Sequence, residues 1–441
     1  MGSGAAVQKS AIAGNGTKLQ PPNPFAQLVI VSHGRGVRLA APGSDTPFNS
    51  QPAMTRQQRL SVCYVDPGRD YRPGSSHTRQ VRTLARALAC DVEMSVVFRR
   101  LAGDPDGAGC SVSALEPGRQ PSDQVAGAVP RRALGRFLER RAGEFGVILE
   151  AASAMPGKLA AWCGQRGIPA IPLVDELPDA SWLGPLDSDI PWLGLGASGR
   201  YLRRAPVVVA SSPGVREAIV GRWRVDPNNL VVIGPAIDRT LFSPRDQDEA
   251  RRRLGIDPAH RVIVAGDGFG RGYDLTPLLE AVPRTGDPAL RLHVLGDGGR
   301  LAPLKRLAGS GAAVRFYGAV SDELLAQHLA AADLCVQLHQ PTDPCFTLLE
   351  CFSSARPVAV GITPGAARRP APELVSGFTV EHDVLSWIRF LQRDCPSRNT
   401  LRMMGLAASN TPVEHAPRTA AAYRAVIERA RATAGRQPAL V

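Results

Sequence analysis

Asp343-Pro344-Cys345-Phe346-Thr347-Leu348-Leu349-Glu350-Cys351-Phe352-Ser353-Ser354-Ala355-Arg356-Pro357-Val358-Ala359-Val360 decides the fold. An apolar run, Leu334 to Leu338, precedes it. The helical spacing from Phe346 to Ser353 then ends in Arg356-Pro357, and a β-branched run, Val358 to Val360, follows. Strand, loop, helix and strand in that order form a parallel crossover unit, because parallel neighbours need a connection long enough to cross the sheet.

The same alternation extends upstream. Strands are expected at Arg261–Ala265, Leu290–Leu295 and Val314–Tyr317, and helices at Leu275–Val282, Leu301–Leu307 and Glu323–Ala331. Val207–Ala210 and Leu230–Ile233 head this series. A separate series occupies the amino-terminal half: strands Leu60–Val65, Met94–Phe98, Val147–Leu149 and Ile168–Val174, with helices Val81–Leu88, Ala133–Phe145 and Met155–Cys163. Two doubly wound, Rossmann-like α/β domains facing across a cleft are the expected result. Their boundaries fall at 59–205 and 206–412, with the Trp-, Pro- and Gly-rich stretch Asp179–Arg200 supplying interdomain loops. Residues 1–58 read as a flexible tail and extension with one strand-like run, Leu28 to Val31. Residues 413–441 carry a last helix, Arg418–Ala432, placed to pack back on the amino-terminal domain. Ligands of open α/β sheets bind beyond the carboxyl ends of the strands, so function is sought in those loops.

A length of 441 residues excludes a single small scaffold, and 44% hydrophobic with 21% charged residues excludes wholesale disorder. The net charge of +12 favours anionic partners: nucleotide phosphates, nucleic acid or lipid headgroups. Only 5% of residues are aromatic, with no basic-aromatic interleaving of the kind that stacks unpaired bases, which disfavours nucleic acid. The eight cysteines include no Cys-x-x-Cys pair, which argues against a zinc site and for reduced thiols of a cytoplasmic protein. No stretch of 18 uncharged apolar residues could span a membrane. The run holding Arg131, Arg132, Arg136, Arg140 and Arg141 opposite Leu134, Phe137, Leu138 and Phe145 is either a docking face for the inner surface of an anionic membrane or a solvated charged face.

Gly266-Asp267-Gly268-Phe269-Gly270-Arg271-Gly272 lies between a strand and a helix, where backbone amides and the helix dipole hold phosphate. It is not the dinucleotide fingerprint: counting from Gly266 the third glycine falls on Arg271, and from Gly268 on Tyr273. Gly296-Asp297-Gly298-Gly299 repeats the arrangement one unit later. Either loop also reads as a plain tight turn. Gly74-Ser75-Ser76-His77 stands between the first strand and its helix, and Asp175 and Glu176 follow the strand Ile168–Val174 across the cleft. Asp187-Ser188-Asp189 has a metal-binding form but lacks a supporting strand, so no metal is assigned.

From Val207 to Tyr423 the chain resembles the nucleotide-sugar-binding half of the group 1 (family 4) retaining glycosyltransferases, which have the GT-B fold. Three segments carry the likeness in order. Ile233-Gly234-Pro235-Ala236-Ile237-Asp238 with Phe242-Ser243-Pro244 is the first, Val314-Arg315-Phe316-Tyr317-Gly318-Ala319-Val320 the second, and Leu348-Leu349-Glu350 with Arg356-Pro357-Val358 the third. The resemblance implies sugar transfer with retention from a nucleoside-diphosphate sugar, for instance a UDP-sugar, to an acceptor hydroxyl, without metal or cofactor. Arg271 would neutralise the diphosphate and Asp343 would hold the sugar, with His77 as the third catalytic candidate. The donor would lie against Gly74, Ser75, Gly268, Gly270, Gly296, Gly298, Phe316, Gly318, Val320, Phe346, Thr347, Leu348, Leu349 and Glu350, with Glu350 on the ribose. Asp175 and Glu176 would face the acceptor, and the basic charge inclines toward a phosphorylated or lipid-linked one.

Two departures stand out. The family's acidic residue eight positions before the second glutamate falls on Thr342, with Asp343 one position later. Of its Arg and Lys pair, Asp267 takes the first place and Arg271 the second, so one cation is lost. A catalytically degenerate binding or partner protein is the alternative that follows.

Overall fold

The computed structural model describes residues 59–105, 109–116, 131–151, 158–175, 199–266, 274–298, 300–309, 311–338, 346–362, 377–409 and 416–434. Among them two parallel sheets form. The first is seven-stranded, in the order β3-β2-β1-β4-β5-β6-β7. It comprises β1 (Leu60–Asp66), β2 (Val92–Phe98), β3 (Ser111–Ala114), β4 (Val147–Ala151), β5 (Ala170–Val174), β6 (Val208–Ala210) and β7 (Leu230–Val232). The second is six-stranded, in the order β10-β9-β8-β11-β12-β13. Its strands are β8 (Arg261–Gly266), β9 (Leu290–Leu295), β10 (Val314–Gly318), β11 (Leu334–Gln337), β12 (Val358–Ile362) and β13 (Gly377–Glu381).

The central strands are apolar on both faces, as a parallel sheet covered by helices on each side requires. All five residues of β4 and of β12 are buried. Helix α1 (Ser76–Leu88) covers the first sheet with Val81, Leu84, Ala85 and Leu88. α2 (Arg131–Arg141) and α3 (Lys158–Gly164) pack on its other face. α4 (Pro213–Trp223) and α5 (Gln247–Leu254) lead to the second sheet, where α6 (Thr276–Arg284), α7 (Leu301–Ala308), α8 (Asp322–Ala331) and α9 (Phe346–Ser353) alternate with the strands. α10 (Val384–Arg389), α11 (Arg398–Ala408) and α12 (Ala416–Ala434) follow among the described residues.

The expected domain boundary at 205/206 is corrected. β6 pairs with β5 through Leu173↔Val209 and with β7 through Val208↔Leu230, so the first sheet runs on to Val232. A short β-branched run carries no mark of which of two similar sheets it will join. Helix α12 returns to the first lobe, where Ala420, Tyr423, Val426, Ile427 and Ala430 join the core under β1 and α1. The run Leu28 to Val31 and the motif Asp187-Ser188-Asp189 lie outside the described residues.

The apolar side of α2 is also spoken for. Leu138 and Phe145 are buried and Leu134 and Phe137 pack against the same cluster, while Arg132, Arg136, Arg140 and Arg141 stay exposed. Leu134 and Phe137 are only half-buried, and the arginines face outward beside them. No helix among the described residues is long and apolar enough to cross a membrane.

Within the second lobe, Asp333 ties β8 to β11. Its buried carboxylate accepts from Arg251 Nη2 at 2.7 Å, the Val262 amide at 2.7 Å and Gln247 Nε2 at 3.2 Å. On the same lobe His293 of β9 and His328 of α8 meet at 3.3 Å between their Nδ1 atoms, with the Tyr317 ring against both. Burial, aided by the charge of His328, lowers the pKa of His293 to about 3. Burial, aided by Arg315, lowers that of His328 to about 4. Both rings are neutral when folded, whereas an unfolded histidine takes up a proton near pH 6.5. The unfolded chain thus binds more protons below that pH, and stability present above about pH 6.5 is lost as the pH falls toward 4. Urea unfolding at pH 7.5 and 5.5 should show a loss of roughly 3 kcal/mol from this pair, and the loss should shrink in an H293Q/H328Q double variant.

Candidate functional site at the carboxyl ends of the two sheets

β1 ends at Asp66, whose fully buried carboxylate organises the loop that follows. Its Oδ1 accepts from the amides of Gly68 and Arg69, each at 3.2 Å. Its Oδ2 lies 2.9 Å from His77 Nε2 and 3.6 Å from Arg69 Nη1. Burial alone would raise the Asp66 pKa, but His77 and the Arg69 charge outweigh it and hold the carboxyl below its ordinary value.

His77, at the start of α1, also accepts at Nδ1 from Arg69 Nη1 at 2.9 Å. A guanidinium can only donate, so the ring proton sits on Nε2, facing Asp66. Both ring nitrogens are thereby engaged. Arg69 reaches Asp175, at the end of β5, at 3.6 Å, and its side chain retains 28% exposure. Ser75 is the cap of α1: its Oγ accepts from the Thr78 amide at 3.2 Å and donates to Thr78 Oγ1 at 2.9 Å.

In the second lobe, Gly296 and Gly318 bring the ends of β9 and β10 together. The Gly296 amide donates to the Gly318 carbonyl at 2.8 Å, and the two take φ of +129° and +72°, a region that favours glycine. The Gly298 amide donates to Asp297 at 2.8 Å, closing the turn before α7. Phe316 packs on the apolar core on one side of the sheet and Val320 on the other. At the start of α9, Thr347, Leu348 and Leu349 are buried, the two leucines in the core beneath the helix. Gly268, Gly270, Arg271, Asp343 and Glu176 lie outside the described residues.

Glu350, on the second turn of α9, is 3% exposed. Both of its oxygens accept from one guanidinium of the first lobe: Arg79 Nε donates to Oε1 at 2.6 Å and Nη2 to Oε2 at 2.8 Å. Arg79 Nη1 donates to the Gly74 carbonyl at 3.2 Å and to Asp322 Oδ1 at 3.4 Å. Arg82 Nη1 meets Asp322 Oδ2 at 3.3 Å, and the Arg79 guanidinium lies 5.6 Å from the Phe242 ring centroid. The lobes also touch where Gly74, at φ +81°, runs against the end of the second sheet. A Cβ there would stand 2.7 Å from the Val320 carbonyl oxygen.

The structure thus brings Gly74, Ser75, His77 and Asp175 to the edge of one sheet and Gly296, Gly298, Gly318, Val320 and Glu350 to that of the other. Asp66, Arg69, Arg79 and Asp322 went unread in the sequence. The last residue of an apolar strand could have singled out Asp66; arginines on an amphipathic helix give no such signal. Among the described residues, no group of three His, Cys, Asp or Glu side chains could hold a metal ion.

Residues 77–236 match the family described as glycosyl transferase 4-like domain, and residues 260–392 match glycosyl transferases group 1. The D-inositol 3-phosphate glycosyltransferase of Geodermatophilus obscurus is 34% identical over 198 residues, which cover 41% of this chain and 43% of that protein. The chain spans about half the length of the curated relatives it matches. Among solved structures, sucrose-phosphate synthase from Thermosynechococcus elongatus superposes with a TM-score of 0.66 at 18% identity, covering 85% of this chain and 100% of that one. Anabaena HepE in complex with UDP and glucose gives 0.61 at 16% identity, covering 84% and 100%. At such identities the likeness is one of fold.

Gly74→Ala should cost about 1–3 kcal/mol, since it adds a left-handed strain to an overpacked lobe contact. Thermal unfolding of the two proteins measures it.

Proposed function

Because the chain belongs to the group 1 glycosyltransferases and has their two-lobed GT-B fold, we propose that it moves a sugar from a nucleoside-diphosphate sugar to an acceptor hydroxyl with retention. The observation that carries the proposal is Glu350. It stands on the second turn of α9 at the carboxyl edge of the second sheet, with the first lobe directly opposite. A helix that starts at such an edge aims its unpaired amides at a bound anion, and a carboxylate beside them suits a ribose diol. The complex of HepE with UDP and glucose supports a uridine nucleotide donor.

In this scheme the amides of Phe346 to Leu348 bind the diphosphate, Arg271 neutralises it, Glu350 holds the ribose and Asp343 the sugar hydroxyls. The bond from the anomeric carbon to the diphosphate breaks as the acceptor oxygen bonds to the same face. The acceptor proton passes to the departing diphosphate, so the roles call for neither metal nor cofactor. Stabilising the charge on that leaving group is the main demand on the protein. Asp175 and Arg69 line the acceptor side, and His77, with both nitrogens committed, serves to fix Arg69 rather than to move a proton. The names of the curated relatives support a phosphorylated polyol as acceptor, in a cytoplasmic protein.

A second reading has its own observations. Asp267 replaces one expected cation and Glu350 is sealed by Arg79, which suits a protein that kept the fold and lost the chemistry. Slow release of free sugar from a panel of uridine, guanosine and thymidine diphosphate sugars, without acceptor, separates the two. Hydrolysis of one donor is expected, and none across the panel favours the non-catalytic protein. Glu350→Ala should weaken binding of that donor by roughly tenfold or more, the scale of a lost hydrogen bond to a charged group. Unchanged affinity in a calorimetric titration removes Glu350 from the site.

A further inference from the structure

The carboxylate assigned above to the ribose is occupied. Its two oxygens accept the Arg79 fork at 2.6 and 2.8 Å, and the side chains of Arg79 and Glu350 are only 6% and 4% exposed. A guanidinium fork and a ribose diol make the same demand, two donors side by side against two carboxylate oxygens. With so little of Glu350 open to solvent, the two cannot occupy that position together.

Arg79 also has somewhere to go. Its Nη1 already stands 3.4 Å from Asp322 Oδ1, whose other oxygen is held by Arg82 at 3.3 Å. A guanidinium leaving Glu350 therefore keeps a carboxylate partner and does not become a stranded buried charge, the outcome that makes breaking such pairs expensive. The fork joins the lobes: Arg79 rides on α1 of the first, while Glu350 and Asp322 ride on α9 and α8 of the second.

We infer that Arg79 is a positioning residue that governs donor binding through Glu350: its guanidinium fills the place of the ribose diol, and the nucleotide enters by displacing it toward Asp322. This rests on the reading of Glu350 as the ribose ligand. A purely structural pair and a displaceable one differ in sign. Removing a structural partner disorders Glu350 and weakens nucleotide binding, whereas removing a competitor strengthens it.

The experiment is a calorimetric titration of the full chain with UDP, in wild type, Arg79→Met, Arg79→Lys and Glu350→Ala. Arg79→Met should bind UDP at least about fivefold more tightly. Arg79→Lys keeps the positive charge but loses the fork, so it should bind about twofold to fivefold more tightly and also answers the question if Arg79→Met does not fold. Unchanged or weaker UDP binding by the folded Arg79 variants, with Glu350→Ala still weakening it, overturns the displacement of Arg79 and leaves the donor site standing. UDP binding indifferent to Glu350→Ala overturns the reading beneath it.

Discussion

The ion pairs that Arg79 and Arg82 of α1 make with Glu350 and Asp322 close the contact between the lobes. The Arg79–Glu350 fork is buried on both sides, and a charge pair taken out of water recovers its desolvation cost only when geometry is good and further hydrogen bonds complete it. Here the Gly74 carbonyl, Asp322, Arg82 and the Phe242 ring supply that completion. The side chains on either side of the lobe junction are thereby fixed in register with one another. An apolar contact of similar area would hold the lobes together without dictating that alignment.

The first sheet's own edge follows the same logic on a smaller scale. Asp66 is buried, so it must be met by positive partners, and these partners, His77 and Arg69, are then no longer independent. His77 is ordered by Asp66 on one ring nitrogen and orders Arg69 with the other. Of the four members of this chain only Arg69 and Asp175 keep a substantial share of exposed surface. The polar edge that faces a ligand is thus narrow, and its electrostatics are set from behind by a group that no ligand touches.

Much of this architecture could be read from residue order. Strands such as Val358–Val360 and Val62 with its neighbours announce themselves because a doubly covered parallel strand is apolar without alternation. The placement of Glu350 after Leu348 and Leu349 was legible for a related reason: two core leucines fix which side of α9 faces the sheet. What stayed hidden depends on distances across the fold. Val208–Ala210 is too short to reveal its sheet, and β13 begins with Gly377, which packs against the Val358 backbone and gives no side-chain pattern. Arg79 sits 271 positions from Glu350 in the chain, and on a helix already rich in arginine nothing local sets it apart from Arg82 or Arg86. The glycine loops at 296 and 318 were visible as glycines, whereas their pairing to each other came from a bulge between Phe316 and Gly318.

Helix α12 has a consequence for how this chain is made. Its Ala420, Tyr423, Val426, Ile427 and Ala430 fill the core beneath β1 and α1, so the lobe whose strands are synthesised earlier lacks part of its interior until α12 emerges. The second lobe, drawn from the continuous stretch between, is complete sooner. Synthesis thus runs against the usual order of amino-terminal domain first: the earlier-born sheet waits with an open apolar floor while its younger neighbour closes.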